Sequence, residues 1–460
     1  MTMTISERIG EFVSQIAYDD LPKSVVKVAK RCILDWLGAG YRGSKAEASS
    51  WVLDLLRGGN GKEASFLTYP PSKGNFLFTA FSNAFFSHIL EIDDVHRGSI
   101  FHPASPVISA AFSQAESLGA SGKELITSVV LGYEVSIRVA ECLGLSHYKY
   151  WHPTATAGVF GSAVAGAKLL KLDPKKVAFA LGNAGTSASG LWQFNLDGAM
   201  TKPLHPAKAA MEGLISANLA YRGFSGALRI FEGEKGICNA MARDGFDLEK
   251  LLYGLGSHWK TEEVSLKPYP CCRHIHPSID AAKEVHRASK LKPQEIASVK
   301  VYTYRVGMET AHFKVPTSLE EARFSISYCV ALALKFGDVN LDLFSPSLLR
   351  DEEILSLIDK TEVLEDDVYT KNHPQKWGAK VEVLSRDGGV WSSETWFPLG
   401  DPEKPMSDRE VEDKFKGLVK PVLPEDYLSE LIGRVWSIEE MENIRSFFVG
   451  VKIYGGADGI

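Results

Sequence analysis

The chain has 460 residues, more than one hydrophobic core usually serves, so two domains are expected. With 45% hydrophobic and 23% charged residues it has the composition of an ordinary globular protein, and a net charge of -6 argues against a nucleic-acid binder. A mildly negative whole still leaves room for a few local cations that hold an anionic substrate.

The first part reads as helices. Val25, Val28, Ala29, Cys32 and Trp36 recur at helical spacing between Lys23, Lys27, Lys30 and Arg31, and 125–143 repeats the pattern. Gly158, Gly161, Ser162 and Ala165 put small residues on one side of a helix, which permits close helix–helix approach, and Asp173-Pro174 is expected to end that segment. The run 156–167 is apolar but meets Lys168 and Lys171 too soon to span a membrane. Residues 177–191 continue in the same Ala/Gly-rich manner. Strand patterns are scarce before about residue 260.

The character then changes. Val299 and Val301 alternate with Lys300 and Tyr302, as in a strand. Ser318 and Glu321 form a capping box predicted to open a helix running to Phe336, with Gly337 as its stop. Segments 379–384 and 390–397 flank Asp387-Gly388-Gly389, a hairpin signal. Capping boxes at Ser407/Glu410 and Ser437/Glu440 return the chain to helix. The predicted fold is mainly α with an inserted α+β domain. A large all-helical domain is built from both chain ends, 1–265 and 401–460, with a smaller lid-like α+β domain at 266–400.

Six cysteines without framework spacing, and an N-terminus without a basic region followed by an apolar run, lead us to expect a reduced, cytoplasmic chain with no signal peptide and no membrane segment. Several histidines sit in marked contexts. Glu91-Ile92-Asp93-Asp94 is followed by His96 and then His102, and such carboxylates can set an imidazole's tautomer and raise its basicity; equally, they can cap a helix or lie in solvent. His152, between Trp151 and Pro153, precedes the small-residue helix and either faces its N–H groups or rests in the core on a carbonyl. Lys202 and Lys208 bracket His205, and a lysine between a loop and a helix is a natural carboxylate anchor, although most lysines are solvated.

In Lys267-Pro268-Tyr269-Pro270-Cys271-Cys272-Arg273-His274-Ile275-His276, adjacent cysteines chelate one tetrahedral ion poorly, so no metal is expected. Cys271 has no support as a nucleophile beyond its neighbours. Arg273 and His274 are assigned to substrate carboxylate, with Lys267 and Tyr269 as further substrate-binding candidates. No P-loop, dinucleotide fingerprint, nucleophile elbow or EF-hand loop occurs, so no phosphate-bearing cofactor is expected.

Taken together these segments resemble the MmgE/PrpD family, which includes dehydratases of 2-methylcitrate, decarboxylases of cis-aconitate and epimerases of iminodisuccinate. The resemblance spans nearly the whole chain. It rests on Glu91-x-Asp93-Asp94-x-His96 with His102, on Trp151-His152, and on Lys168-Leu169-Leu170-Lys171-Leu172. Further support comes from Leu181-Gly182-x-Ala184-x-Thr186-x-Ala188-x-Gly190, Phe231-Glu232-Gly233-x-Lys235-Gly236, Gly254-Leu255-Gly256-Ser257-x-Trp259 and the Lys267–Cys272 run. It implies a homodimer with a pocket between two domains, in which Glu91, Asp93, His102, His152, Lys202 and a lid tyrosine, Tyr328, contribute to the site. Glu91 in place of aspartate and the paired cysteines are closer to the decarboxylase and epimerase branches than to the dehydratases.

The resemblance implies a cofactor-independent lyase acting on a di- or tricarboxylate, with His102 and His152 as acid and base and Glu91 or Asp93 orienting one imidazole. Lys202 and Arg273 would hold carboxylates. Epimerisation of an amino-polycarboxylate, and non-catalytic carboxylate binding, remain open alternatives.

Overall fold

The computed structural model describes residues 3–56 and 60–448. Its larger part is a helical assembly. Helix Lys23–Gly43 buries Val25, Ala29, Cys32, Trp36 and their neighbours. Trp36 stacks on Phe112 at 5.0 Å and donates its indole N–H to Ser109 Oγ at 2.9 Å. Helix Phe76–His88 starts at Asn75, whose side chain accepts from the Leu77 N–H. Helix Ala104–Leu118 stops at Gly119, which takes the left-handed conformation (φ 72°) that glycine adopts without penalty. Helix Gly122–Tyr148 opens with a full Ser121/Glu124 capping box.

The small-residue segment is the helix Gly158–Leu169. A Cβ on Gly161 would stand 2.7 Å from the Gly132 carbonyl oxygen, and one on Gly213 would stand 2.4 Å from Ser162 Cβ. These glycines therefore set the approach of helices Gly122–Tyr148 and Leu204–Tyr221 to this central helix. It ends at Leu169, before Asp173, whose side chain caps the next helix, Pro174–Ser187, instead of closing the first.

Both chain ends enter this assembly. Helix Asp408–Val419 carries the expected Ser407/Glu410 box and lies on helix Lys23–Gly43. Phe415 and Leu418 fill the space over Gly38, and Arg31 Nε donates to Asp408 at 2.6 Å. Phe415, Leu431 and Val435 belong to the same hydrophobic core as Trp36, Phe112 and Phe160.

The smaller part is α+β. Its four-stranded sheet runs Thr361–Glu365, Ile296–Thr303, Ala379–Ser385, Val390–Thr395 in spatial order. The first pair is parallel and the others antiparallel. Val299, Val301, Val381 and Val383 point to one face and share a core with Ile279 of helix His276–Ser289 and Leu332 of helix Ile326–Phe336. The 379–395 hairpin turns at Gly388 (φ 92°).

Three local expectations differ. The segment after Ser318 is two helices, Leu319–Ala322 and Ile326–Phe336, because Ser325 caps the second by accepting from the Tyr328 N–H at 3.1 Å. Ser437 forms no capping box with Glu440: it closes helix Glu425–Trp436 ahead of the short 3-10 turn Ile438–Glu440, and its hydroxyl donates back to the Gly433 carbonyl at 3.0 Å. Short strands Ala64–Phe66, Ser72–Gly74 and Val95–His96 occur before residue 260, each too brief to show a period of two. Among the described residues no helix is long and apolar enough to cross a membrane.

Candidate active site

Helix Phe76–His88 delivers the acidic segment. Beyond its end Glu91 is left-handed (φ 56°), a conformation that costs a non-glycine residue roughly 1–2 kcal/mol. The turn aims a buried carboxylate at two lysines. Lys202 Nζ donates to Glu91 Oε1 at 2.6 Å; Lys267 Nζ lies 3.4 Å from Oε2 and 3.2 Å from the Glu91 carbonyl oxygen. Burial alone would raise the Glu91 pKa, but the two ammonium groups reverse this and hold it well below the usual carboxylate range.

Asp93 is fully buried and faces His88: its Oδ2 accepts from His88 Nδ1 at 2.6 Å and from Ser105 Oγ at 2.8 Å. Burial again pushes upward and is overcome, chiefly by His88, so Asp93 stays ionised. Asp94 does scaffold work. It accepts from the Ala104 N–H at 2.9 Å and the Tyr133 hydroxyl at 2.8 Å, and burial raises its pKa well above the ordinary value.

His96 N donates to the Phe101 carbonyl at 2.7 Å, closing a tight loop that presents His102. Ile100 in this loop is also left-handed (φ 51°). His102 Nδ1 lies 2.6 Å from the Asp94 carbonyl oxygen. A carbonyl only accepts, so Nδ1 carries the proton, and in the neutral ring Nε2 holds the lone pair. Burial, reinforced by the Lys267 charge, lowers the His102 pKa well below the ordinary histidine value, which keeps that ring neutral.

His152 stands just before the short helix Pro153–Thr156, which its side chain does not cap, and lines the cavity. Its Nδ1 lies 3.0 Å from His205 Nδ1, and its Nε2 has no hydrogen-bond partner. Burial, then His205, lowers its pKa well below normal; burial brings His205 down to about 4. The rings of His102 and His152 are 6.3 Å apart, with His88 5.1 Å from the first and 5.8 Å from the second.

The α+β part supplies the opposite wall. A small cavity is lined by Glu91, His102, His152 and Lys202 on the helical side, and by Cys272, Arg273, His274, Phe324 and Trp377 facing them. Tyr148 and Trp192 close its flank. His274 stacks on Trp377 at 4.2 Å, its Nδ1 2.8 Å from the Tyr304 hydroxyl. Burial pushes the Cys272 thiol up to about 12, so it remains protonated.

The structure thus gathers Glu91, His102, His152, Lys202, Arg273 and His274 around one space, with Asp93 and Lys267 immediately behind. Four expectations change. Tyr328 lies in the core of the α+β part, against Phe344, and donates to the Leu343 carbonyl at 3.3 Å. Tyr269 donates to Asp280 at 2.6 Å and does not line the cavity. Arg273 lines it, but its guanidinium already pairs with the buried Asp401 and reaches the Leu399 carbonyl at 3.1 Å, so its fork is occupied by a protein carboxylate. Nor does an acidic side chain orient His102; a backbone carbonyl does, with Asp93 Oδ1 3.9 Å away. Asp93 instead orients His88, which sequence reasoning missed although it stands within one helical turn of Glu91. Nothing local in the sequence marks Tyr148, Trp192 or Trp377.

Among the described residues, two donor sets have the spacing to hold a metal ion: His88, Asp93 and His102, and His96, Glu141 and Glu263. In the first, Asp93 is bonded to His88 and His102 Nδ1 to a carbonyl. In the second, Lys260 Nζ already sits 3.0 Å from Glu141 and 3.1 Å from Glu263.

Fold and site together define a two-domain, mainly helical protein. Its buried cavity sets neutral imidazoles against a lysine–carboxylate cluster. The MmgE/PrpD N-terminal domain model matches residues 7–249, and the MmgE/PrpD C-terminal domain model matches residues 269–438. The chain belongs to the MmgE/PrpD family. Among known proteins it is similar to the cis-aconitate decarboxylase-like protein oryM of Aspergillus oryzae, at 26% identity over 96% of this chain and 95% of that protein. It is likewise similar to the cis-aconitate decarboxylase of Homo sapiens, at 26% identity over 96% of this chain and 93% of that protein. A third relative is the mitochondrial 2-methylcitrate dehydratase of Yarrowia lipolytica, at 22% identity over 94% of this chain and 86% of that protein.

Proposed function

We propose that the chain is a lyase that acts on a di- or tricarboxylate by acid–base chemistry without a cofactor, of the cis-aconitate decarboxylase or 2-methylcitrate dehydratase type. The observation that carries this reading is His102, neutral, held through Nδ1 by a carbonyl, and lining a cavity beside the Lys202 ammonium. Similarity to decarboxylases and a dehydratase along almost the whole chain supports it.

In this reading Lys202 holds the carboxylate next to the reacting carbon, and Glu91 with Lys267 fixes the lysine in place. His102 Nε2 takes or returns a proton at that carbon. His152 is the second proton-transfer group, with its Nδ1 set by His205. A substrate bearing several carboxylates brings negative charge against both imidazoles and favours their protonated forms. In dehydration His102 removes the α-proton and an imidazolium protonates the leaving hydroxide. In decarboxylation the carbon–carboxylate bond breaks, carbon dioxide leaves, and the imidazolium protonates the carbon that keeps the electron pair. Two imidazoles 6.3 Å apart on one cavity also suit epimerisation by paired proton transfer, the second reading.

The decisive experiment is proton NMR in D2O with cis-aconitate, 2-methylcitrate, citrate and iminodisuccinate, using wild type, His102→Ala and EDTA-treated protein. Carbon dioxide loss or dehydration of one compound is expected, reduced about 10²- to 10⁴-fold in His102→Ala and unaffected by EDTA. Deuterium exchange with inversion of iminodisuccinate would select the epimerase, and saturable binding without turnover would select a non-catalytic carboxylate binder. We further propose a homodimer whose subunits each divide into 1–265 with 401–460 and 266–400. Sedimentation and limited proteolysis check these two points.

A further inference from the structure

Among the described residues, the buried cationic side chains are Lys30, Arg138, Lys202, Lys267, Arg273 and Arg323. The first five each have a carboxylate within 4 Å: Glu439, Glu134, Glu91, Glu91 and Asp401 respectively. Arg323, only 9% exposed, forms no ion pair with a described carboxylate, and its Nε has no hydrogen-bond partner. A buried guanidinium cannot shed its charge at any ordinary pH, so leaving it unpaired is costly.

Its position gives the cost a purpose. Arg323 lines a second cavity that shares Glu91, Lys202 and Phe324 with the first. The Arg323 carbonyl accepts from the Cys272 N–H at 2.9 Å, which ties its backbone to the segment forming the inner cavity wall. Glu320, on the short helix Leu319–Ala322 just before Arg323, also lines the outer cavity; its charge favours the Arg323 cation, but the two form no ion pair within 4 Å.

We propose that Arg323 is the anchor of a distal carboxylate subsite: it binds, through its guanidinium fork, the substrate carboxylate farthest from the reacting carbon, while Lys202 holds the near one. This rests on the carboxylate-lyase reading above and adds that the preferred substrates carry a carboxylate reaching into the outer cavity. The two cations divide the work, Lys202 as a point charge at the reacting end and Arg323 as a planar, bidentate clamp selecting the length and charge of the substrate.

Calorimetric titration with two unreactive ligands tests it. Tricarballylate has three carboxylates; methylsuccinate is the same skeleton with one terminal carboxylate replaced by hydrogen. Wild type is expected to bind tricarballylate about 10- to 100-fold more tightly. Arg323→Met should bring the two affinities within about threefold while leaving that for methylsuccinate unchanged. Arg323→Gln gives the same readout should the methionine variant fail to fold, as judged by circular dichroism. A folded variant that keeps the wild-type preference overturns the subsite and leaves the lyase reading standing. Wild type that binds neither ligand overturns both.

Discussion

Glu91 concentrates the site's physics in one side chain. It holds a left-handed backbone and two buried ammonium groups at once. Backbone strain of this kind persists where the surroundings over-determine it, and such places are often functional. Glu91→Gln would leave Lys202 buried without a counter-charge and Lys267 with only Asp93, 4.0 Å away. It should destabilise the protein by about 3–5 kcal/mol in urea unfolding at pH 7.5 and abolish binding of carboxylate ligands. At this scale the sequence was a good guide to which residues gather and a poor one to what each does. Glu91, His102, His152 and Lys202 stand in local motifs whose neighbours announce polar, constrained positions. Arg273 reads as a substrate clamp until its partner Asp401, 128 residues on, occupies it. Tyr328 follows from a motif position alone, and its helix turns that ring into the core.

Among the elements, the link between helix Ala104–Leu118 and strand Ala64–Phe66 depends on a titrating group. Glu116 accepts from the Ser65 N–H and hydroxyl, both at 2.7 Å, and burial raises its pKa to about 7. A carboxyl whose folded-state pKa is raised contributes stability that is complete below its unfolded value, near 4.5, and lost as pH rises through about 7. Measured against Glu116→Gln, which does not ionise, wild type should therefore lose roughly 3 kcal/mol between pH 5 and pH 8 in parallel urea titrations. An equal pH response in both proteins would refute the assignment. Long amphipathic helices and the hairpin were legible because their periods repeat several times. The split after Ser318 was not, because a second cap, Ser325, competes for the chain only three residues before Tyr328, in a context set by its backbone bridge to His312 and by the neighbouring helix His276–Ser289.

The whole molecule depends on the meeting of its ends. Phe415, Leu418, Leu431 and Val435 complete the core begun by helix Lys23–Gly43. A chain ending at residue 405 should expose that apolar face, and gel filtration with circular dichroism should find it aggregated or without a cooperative melt. The same closure reaches the acidic segment 91–94. Lys414 donates to the Ile92 carbonyl at 2.8 Å across 322 residues, and Lys267 reaches Glu91 across 176. On the ribosome these partners emerge late. At roughly 5–20 residues per second, the segment 91–94 waits about 15–65 s for Lys414 to be made. A chain that stops before Lys414 lacks the 2.8 Å bond to the Ile92 carbonyl that helps hold this segment in place.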